Sequence, residues 1–153
     1  MKNFDDYINI ETETINEFDK ATGNKVKIYK IMNEGFSSYD FIFTLNNKII
    51  YFTEVKTRQV YKDQYDTTIL EKRKVNSINE LIKSAEKMKK VDMEIRAGFL
   101  VKFIDGIYFF DLNKTPYTTS IKSCPISTAY NGNNNFIDKK LLHYKLGDGK
   151  KIK

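Results

Sequence analysis

Phe52-Thr53-Glu54-Val55-Lys56-Thr57-Arg58 sets a carboxylate and an ammonium two residues apart inside an apolar, β-branched run. In a strand, residues i and i+2 point to one face, so Glu54 and Lys56 project side by side. Ile49, Ile50, Tyr51, Phe52 and Val55 read as a strand covered on both faces. Two charges on the inside of a sheet are costly unless they pair, hold a metal or take part in chemistry. The bland alternative is a solvent-facing pair on an edge strand, where Lys is common. Glu54-Val55-Lys56 is the only Glu-x-Lys in the chain, and its apolar setting favours the buried reading.

An acid, Asp40, lies on the strand just before. That strand is expected over 39–45, with a turn at Asn46-Asn47 and the Glu-x-Lys strand over 48–57. A two-residue loop would pair Asp40 with Thr53 and send Asp40 and Glu54 to opposite faces. A three-residue loop, 46–48, pairs Asp40 with Glu54, and a bulge would serve equally well. One of these two is expected. It gathers Asp40, Ile42, Phe52, Glu54 and Lys56 on one face and Phe41, Phe43, Tyr51, Thr53 and Val55 on the other. Asp followed by Glu-x-Lys on a hairpin resembles the core of a metal-dependent nuclease site.

Outward from the hairpin, 4–22 reads as a helix. Phe4, Ile8, Ile15 and Phe18 form an apolar stripe whose missing member is Glu11, and Gly23-Asn24 closes it. Val26, Ile28, Tyr29 and Ile31 suggest a first strand, punctuated by Asn33-Glu34-Gly35. Residues 59–66 read as a polar, Tyr-rich linker at the mouth of the site. A second helix is expected over about 68–90, with a stripe of Ile78, Leu81, Ala85 and Met88. Extended backwards, the stripe reaches Lys74, Glu71 and Thr67. Glu71 and Lys74 are either an i,i+3 pair on an overhanging helix end or members of the site. Two buried strands, 95–104 and 107–112, meet at Asp105-Gly106. From Asn113 on, Pro116, Pro125 and Asn131 to Asn135 indicate loops. A short strand or helix over about 136–146 covers the sheet, and the Lys-rich end frays.

The 153 residues suit one domain, 1–153. No run is apolar enough for a membrane span, and the acidic start is no signal peptide. A lone Cys124 suits a reducing cytoplasm and is expected to be a small packed residue. With His143 as the single His, a His-based zinc site is not expected. The net charge of +6 permits a polyanionic partner, though a solvated Lys surface explains it equally. Basic charge beside an acidic pocket is more telling, because nucleases need cations for phosphates and carboxylates for an ion.

The order helix, strand, strand with Asp, strand with Glu-x-Lys, helix, strand resembles the PD-(D/E)XK nuclease superfamily over about residues 4–112. Glu11, Asp40, Glu54 and Lys56 carry the resemblance, with Lys74 as a weaker member; Tyr39 stands where the motif's name has Pro. Within the superfamily the layout is most similar to small archaeal and phage-type Holliday-junction resolvases, with Glu11, Ile15, Phe18 and Gly23 spaced as in their first helix. The resemblance implies an α/β fold with a central mixed sheet of four to five strands flanked by helices, in the order αβββαβ. It implies Mg²⁺ or Mn²⁺ held by Asp40, Glu54, the Val55 carbonyl and Glu11. Lys56 would orient or deprotonate the attacking water or stabilise the pentavalent phosphate, and Lys74 would contact the scissile phosphate. Arg58, Lys72 and Arg73 would hold flanking phosphates of branched or duplex DNA. A homodimer, in the cytoplasm of a bacterial or phage-infected cell, would cut two strands symmetrically. The alternatives are a non-catalytic nucleic-acid-binding or inhibitory protein on the same fold, and a general repair or RNA nuclease or an exonuclease.

Overall fold

In a computed structural model, which describes residues 4–32, 37–90, 92–127 and 133–153, the quoted heptapeptide ends the central strand of a mixed sheet. In chain order the elements are α1 (Phe4–Thr22), β1 (Val26–Ile31), β2 (Phe41–Leu45), β3 (Ile49–Thr57), β4 (Thr67–Glu71), α2 (Lys72–Met88), β5 (Glu94–Phe103), β6 (Gly106–Asp111), β7 (Thr118–Ser127), β8 (Asn133–Lys145) and β9 (Lys150–Lys151). Six strands make the main sheet in the order β1-β2-β3-β5-β6-β9, and three make a second sheet, β4-β8-β7. β3 pairs antiparallel with β2 as far as Thr53 and parallel with β5 along its whole length, so Glu54 is paired on the β5 side alone.

Three layers result. On one face of the main sheet, Ile15 and Phe18 of α1 pack on Phe41, Phe43, Tyr51, Val55 and Leu100. Phe18 meets Phe43 edge-on with ring centres 5.0 Å apart. On the other face, Ile78 and Ile82 of α2 cover Tyr39, Ile95 and Ala97, with Ile42, Ile50 and Phe52 beside them. Further along that face, Leu70, Leu142 and Tyr144 of the second sheet cover Phe99, Val101, Phe103 and Phe110. The two face sets expected for the hairpin are therefore the two faces observed.

The register comes from the turn. Asn46 and Asn47 both adopt positive φ, 52° and 56°, a conformation Asn tolerates better than most residues. The Lys48 N–H closes the turn on the Leu45 carbonyl at 3.0 Å. The ladder then opens with Leu45 opposite Ile49, which leaves Lys48 as a surplus residue. The three-residue loop and the bulge of the sequence reading are thus two descriptions of one turn.

The second sheet departs from the sequence reading. Thr67-Thr68-Ile69-Leu70-Glu71 is a strand rather than the start of a helix, because β8 offers it a partner: Glu71 lies opposite Leu141 and Thr67 opposite Lys145. Residues 118–127 and 133–135, read as loops, are strands, and the element expected over 136–146 is most of β8. The helical stripe also ends differently. Ile82 is buried where Leu81 was expected to lead, and Met88 is exposed. The C-terminus does not fray: Lys150 and Lys151 pair with β6, raising the strand count from the expected four to five to six, and Ile107 N–H donates to the Lys153 carbonyl. β2 starts two residues later than expected, at Phe41. Asn33 to Gly35, Asn131 and Gly132 lie outside the described residues, as do the side chains of Phe4 and Ile8.

Gly98 in β5 lies opposite Thr53, and a Cβ there would meet the Phe109 ring at 2.8 Å and Thr53 Oγ1 at 2.9 Å. Gly98→Ala is expected to cost about 1–3 kcal/mol in urea unfolding. Gly147→Ala, whose Cβ would meet nothing within 4 Å, should stay within about 0.5 kcal/mol of the parent. Equal stability of the two variants would refute the close approach at Gly98.

Candidate active site

β2 and β3 part company at Asp40. Its N–H makes a bond to the Thr53 carbonyl at 2.8 Å, and the chain then leaves the sheet. A continuing strand would have taken the next N–H, that of Val55. The Asp40 carboxylate takes it instead, Oδ2 accepting at 2.7 Å. The acid therefore ends the ladder without leaving a buried donor unsatisfied, and this places it beside Glu54, the residue opposite it in the extended register.

Glu54 is 2% exposed. Its Oε1 faces two ammonium groups, Lys56 Nζ at 3.5 Å and Lys74 Nζ at 3.8 Å, and its Oε2 is buried with no hydrogen-bond partner. The solvent-facing edge pair is thereby excluded. Burial pushes the Glu54 carboxyl up to about 7, with Asp40 adding to the rise and the two lysines opposing it. Burial, and then Glu11, raise Asp40 against the pull of the Val55 N–H. Glu11 is pushed up to about 7 by burial and then by Glu54, again opposed by Lys56 and Lys74. The three carboxyls and two ammonium groups named from sequence thus form one electrostatic unit.

Glu11 reaches this unit from the opposite layer. Past Asp40 the flank of β3 is open, and α1 fills it. Thr14, one turn after Glu11 and fully buried, commits its hydroxyl to the Ile10 carbonyl at 3.0 Å. The Thr57 hydroxyl therefore donates to Thr14, at 3.4 Å, stitching α1 to the end of β3. Thr14 and Thr57 were not singled out from sequence. The signal was present: Thr14 falls beside the Glu11 stripe at helical spacing, and Thr57 directly follows the motif.

α2 starts beside the site with Lys72, Arg73 and Lys74 and no acid in its first turn. A helix N-terminus is already positive, so three cations there oppose the usual preference and suit a bound anion. Lys74 points at Glu54, Arg73 is exposed and Lys72 half-buried. Glu71 does not pair with Lys74; its partner is Lys139 of β8, Nζ to Oε1 3.0 Å. Arg58 is half-buried, with one guanidinium N–H on the Ile69 carbonyl at 2.7 Å, so it ties β3 to β4. Burial lowers its pKa from the ordinary guanidinium value, and Glu54 opposes this. A second charged group, far along the sheet, is closed on itself: Arg96 binds Asp111 at 2.8 Å and Glu94 at 2.6 Å, and Tyr51 donates to Asp111 at 2.9 Å.

Could the residues hold a dication? Among the described residues no three His, Cys, Asp or Glu side chains are gathered closely enough to do so. Asp40 and Glu54, with the unpartnered Glu54 Oε2, nevertheless supply hard oxygen donors whose mutual repulsion a cation would relieve. Two buried carboxylates are hard oxygen donors of the kind a dication takes, and Glu11 is coupled to them electrostatically. No described helix is long and apolar enough to cross a membrane. His143 lies in β8, accepting or donating with Thr67 Oγ1 at 3.2 Å and Ser120 Oγ at 2.6 Å, away from these donors.

No family model matches the chain, and no curated protein matches it. Among solved structures, the 1.6 Å structure of Hjc, a Holliday junction resolvase from the archaeal hyperthermophile Archaeoglobus fulgidus, is similar with a TM-score of 0.54. The match covers 94% of each chain at 14% identity. The likeness is one of fold: a mixed α/β sheet flanked by helices.

The raised carboxyls make stability depend on pH. Folded Glu54 binds its proton up to about 7, against 4.5 for the free side chain, so the folded state holds more protons between those values. Its contribution is complete below pH 4.5 and is lost as pH rises through about 7. In the metal-free protein Glu54 should account for a loss on the order of 3 kcal/mol over that window, and Glu11, raised over the same range, adds to it. Glu54→Gln should flatten the curve in urea unfolding series at several pH values. A wild-type curve that rises between these values would contradict the burial described.

Proposed function

We propose that this chain is a divalent-metal-dependent DNA endonuclease of the PD-(D/E)XK superfamily, of the Holliday-junction resolvase kind, with 1–153 as one nuclease domain. The observation that carries the reading is Glu54: a carboxylate sealed in a sheet interior, one oxygen unpartnered, between Asp40 and the ammonium groups of Lys56 and Lys74. A purely structural acid would be satisfied by its partners, and an inward charge left half-satisfied is costly. The fold shared with an archaeal resolvase supports the same reading.

Asp40, Glu54 and the Val55 carbonyl would hold Mg²⁺ or Mn²⁺, with Glu11 acting through water; the bound ion supplies charge neutralisation and a more acidic water. The remaining work falls to the chain's own groups. Water attacks phosphorus, and the bond to the leaving sugar oxygen breaks. Lys56, held by Glu54, orients the attacking water and offsets the charge that grows on the phosphate oxygens. Lys74 contacts the scissile phosphate, and its tie to Glu54 keeps it aimed there. Lys72 and Arg73, with the amide groups of the first turn of α2, take flanking phosphates without reading sequence. Arg58 serves the site indirectly, by fixing β4 and hence the start of α2. A four-way junction needs two symmetric cuts, which calls for two copies of the chain related by a two-fold axis.

The test is cleavage of a labelled panel (four-way junction, duplex, single strand, flap and RNA) with Mg²⁺ or Mn²⁺. Asp40→Asn and Glu54→Gln should abolish cleavage while leaving DNA binding intact or tighter, since repulsion of phosphate is removed. Lys56→Ala should lower the rate by about 10²-fold or more. Paired symmetric nicks on the junction support a resolvase, and cleavage of every DNA form a general repair nuclease. A folded wild-type protein that cuts nothing with either metal would overturn the reading in favour of a binding or inhibitory protein.

A further inference from the structure

β8 is longer than the strand it pairs with on the main-sheet side. β4 covers only Leu141 to Lys145, and among the described residues β7 alone pairs with Asn133 to Lys140. The overhang is a two-stranded ribbon, roughly 24 Å long at about 3.4 Å per residue. Its root is beside the candidate site: Lys139 is bound to Glu71, the last residue of β4, which precedes α2 and lies three residues before Lys74.

The ribbon carries side chains the fold does not use. Ile121 is 72% exposed and Phe136 63%, on one face with Lys140, which lies opposite Ile121. Lys122 lies opposite Lys139 on the reverse face, next to the partly exposed Ile137. Ser123 lies opposite Asp138 on the Lys140 face, and Asp138 is the only acid among the described residues of the ribbon. Lysines, hydroxyls and a few apolar side chains on a narrow ribbon match a polyanion that offers a groove. B-form DNA has a major groove about 12 Å wide that admits a two-stranded ribbon, and apolar groups there meet thymine methyls and sugars.

A second copy of the chain would be the other natural occupant, by strand addition along the free edge of β7. That edge is built against it. Pro125 removes a donor, the register shifts between Pro125 and Ser127, and Lys122 adds a charge that two copies would bring together. We propose that the β7–β8 ribbon is a substrate arm that lies in the groove of a DNA duplex and fixes its distance from Glu54. This rests on the nuclease reading above and adds a substrate requirement: a duplex segment beside the cut.

The test uses the full-length Glu54→Gln protein, which binds without cutting, and measures the affinity of a fluorescein-labelled duplex across a salt series. Each lost phosphate contact lowers the slope of log K against log salt by about 1. Lys122→Gln with Lys140→Gln should therefore lower it by about 2 and weaken binding at every salt, while single-strand binding changes less. Phe136→Ala, at an exposed position, should weaken duplex binding without altering the slope. An unchanged slope and affinity in all variants, with wild-type cleavage intact, would overturn the arm and leave the nuclease standing. Variants that change the sedimentation mass but not duplex affinity would assign the ribbon to a second copy. A parent protein that binds no DNA at low salt would overturn both.

Discussion

The Val55 N–H is the point on which the site turns. In an unbroken sheet it would bond to the neighbouring strand; here it bonds to the Asp40 carboxylate. One hydrogen bond thus ends β2, holds an acid at the sheet's interior and opens the flank through which Glu11 enters. The positions of Glu54, Lys56 and Lys74 follow. Glu54 is forced inward by the pleat once Phe52 and Val55 are in register, and its charge calls for cations, which β3 and the start of α2 provide. The burial that raises its pKa is the same burial that keeps competing water away from Oε2.

Charge placement separates this cluster from the other ionic group in the sheet. Around Arg96 each charged atom finds an opposite partner, and nothing is left over. Around Glu54 three acids face two lysines, with one oxygen orphaned and three cations crowded at a helix N-terminus. The first arrangement is a finished structural network. The second leaves a buried carboxylate oxygen without a partner, and the ion and phosphate of the proposed function would supply one.

The hairpin was legible because its physics is local. Face alternation, a pair of asparagines and the need to bring Asp40 opposite Glu54 leave one register. α1 was legible for the same reason, including the acid in its stripe. β4 was not, because Thr67, Glu71, Lys74 and Ile78 recur at helical spacing, and only a distant partner decides otherwise. β7 was hidden by its Ser, Thr and Pro content, which signals loops when read alone, and β9 by its lysines, which pair through backbone rather than side chain. Among the site residues, the acids and Lys56 stood out from sequence as charges in apolar company. Lys74 was ambiguous because its partner lies on another element, and Glu71 because its partner, Lys139, lies beyond a helix and three further strands.

β4 sits in sequence between the strand that carries Glu54 and the helix that carries Lys74, yet its partner β8 comes only after α2, β5, β6 and β7. Closing so long a stretch of chain is slow compared with forming α1 or the β2–β3 hairpin. During synthesis on the ribosome, the acids of the hairpin are in place well before β8 has emerged. Lys74 and Arg58, which depend on β4, are aligned last. The order of chain growth therefore brings Lys74 and Arg58 into line with the acids of the hairpin only after β8 has been made, a delay written into topology.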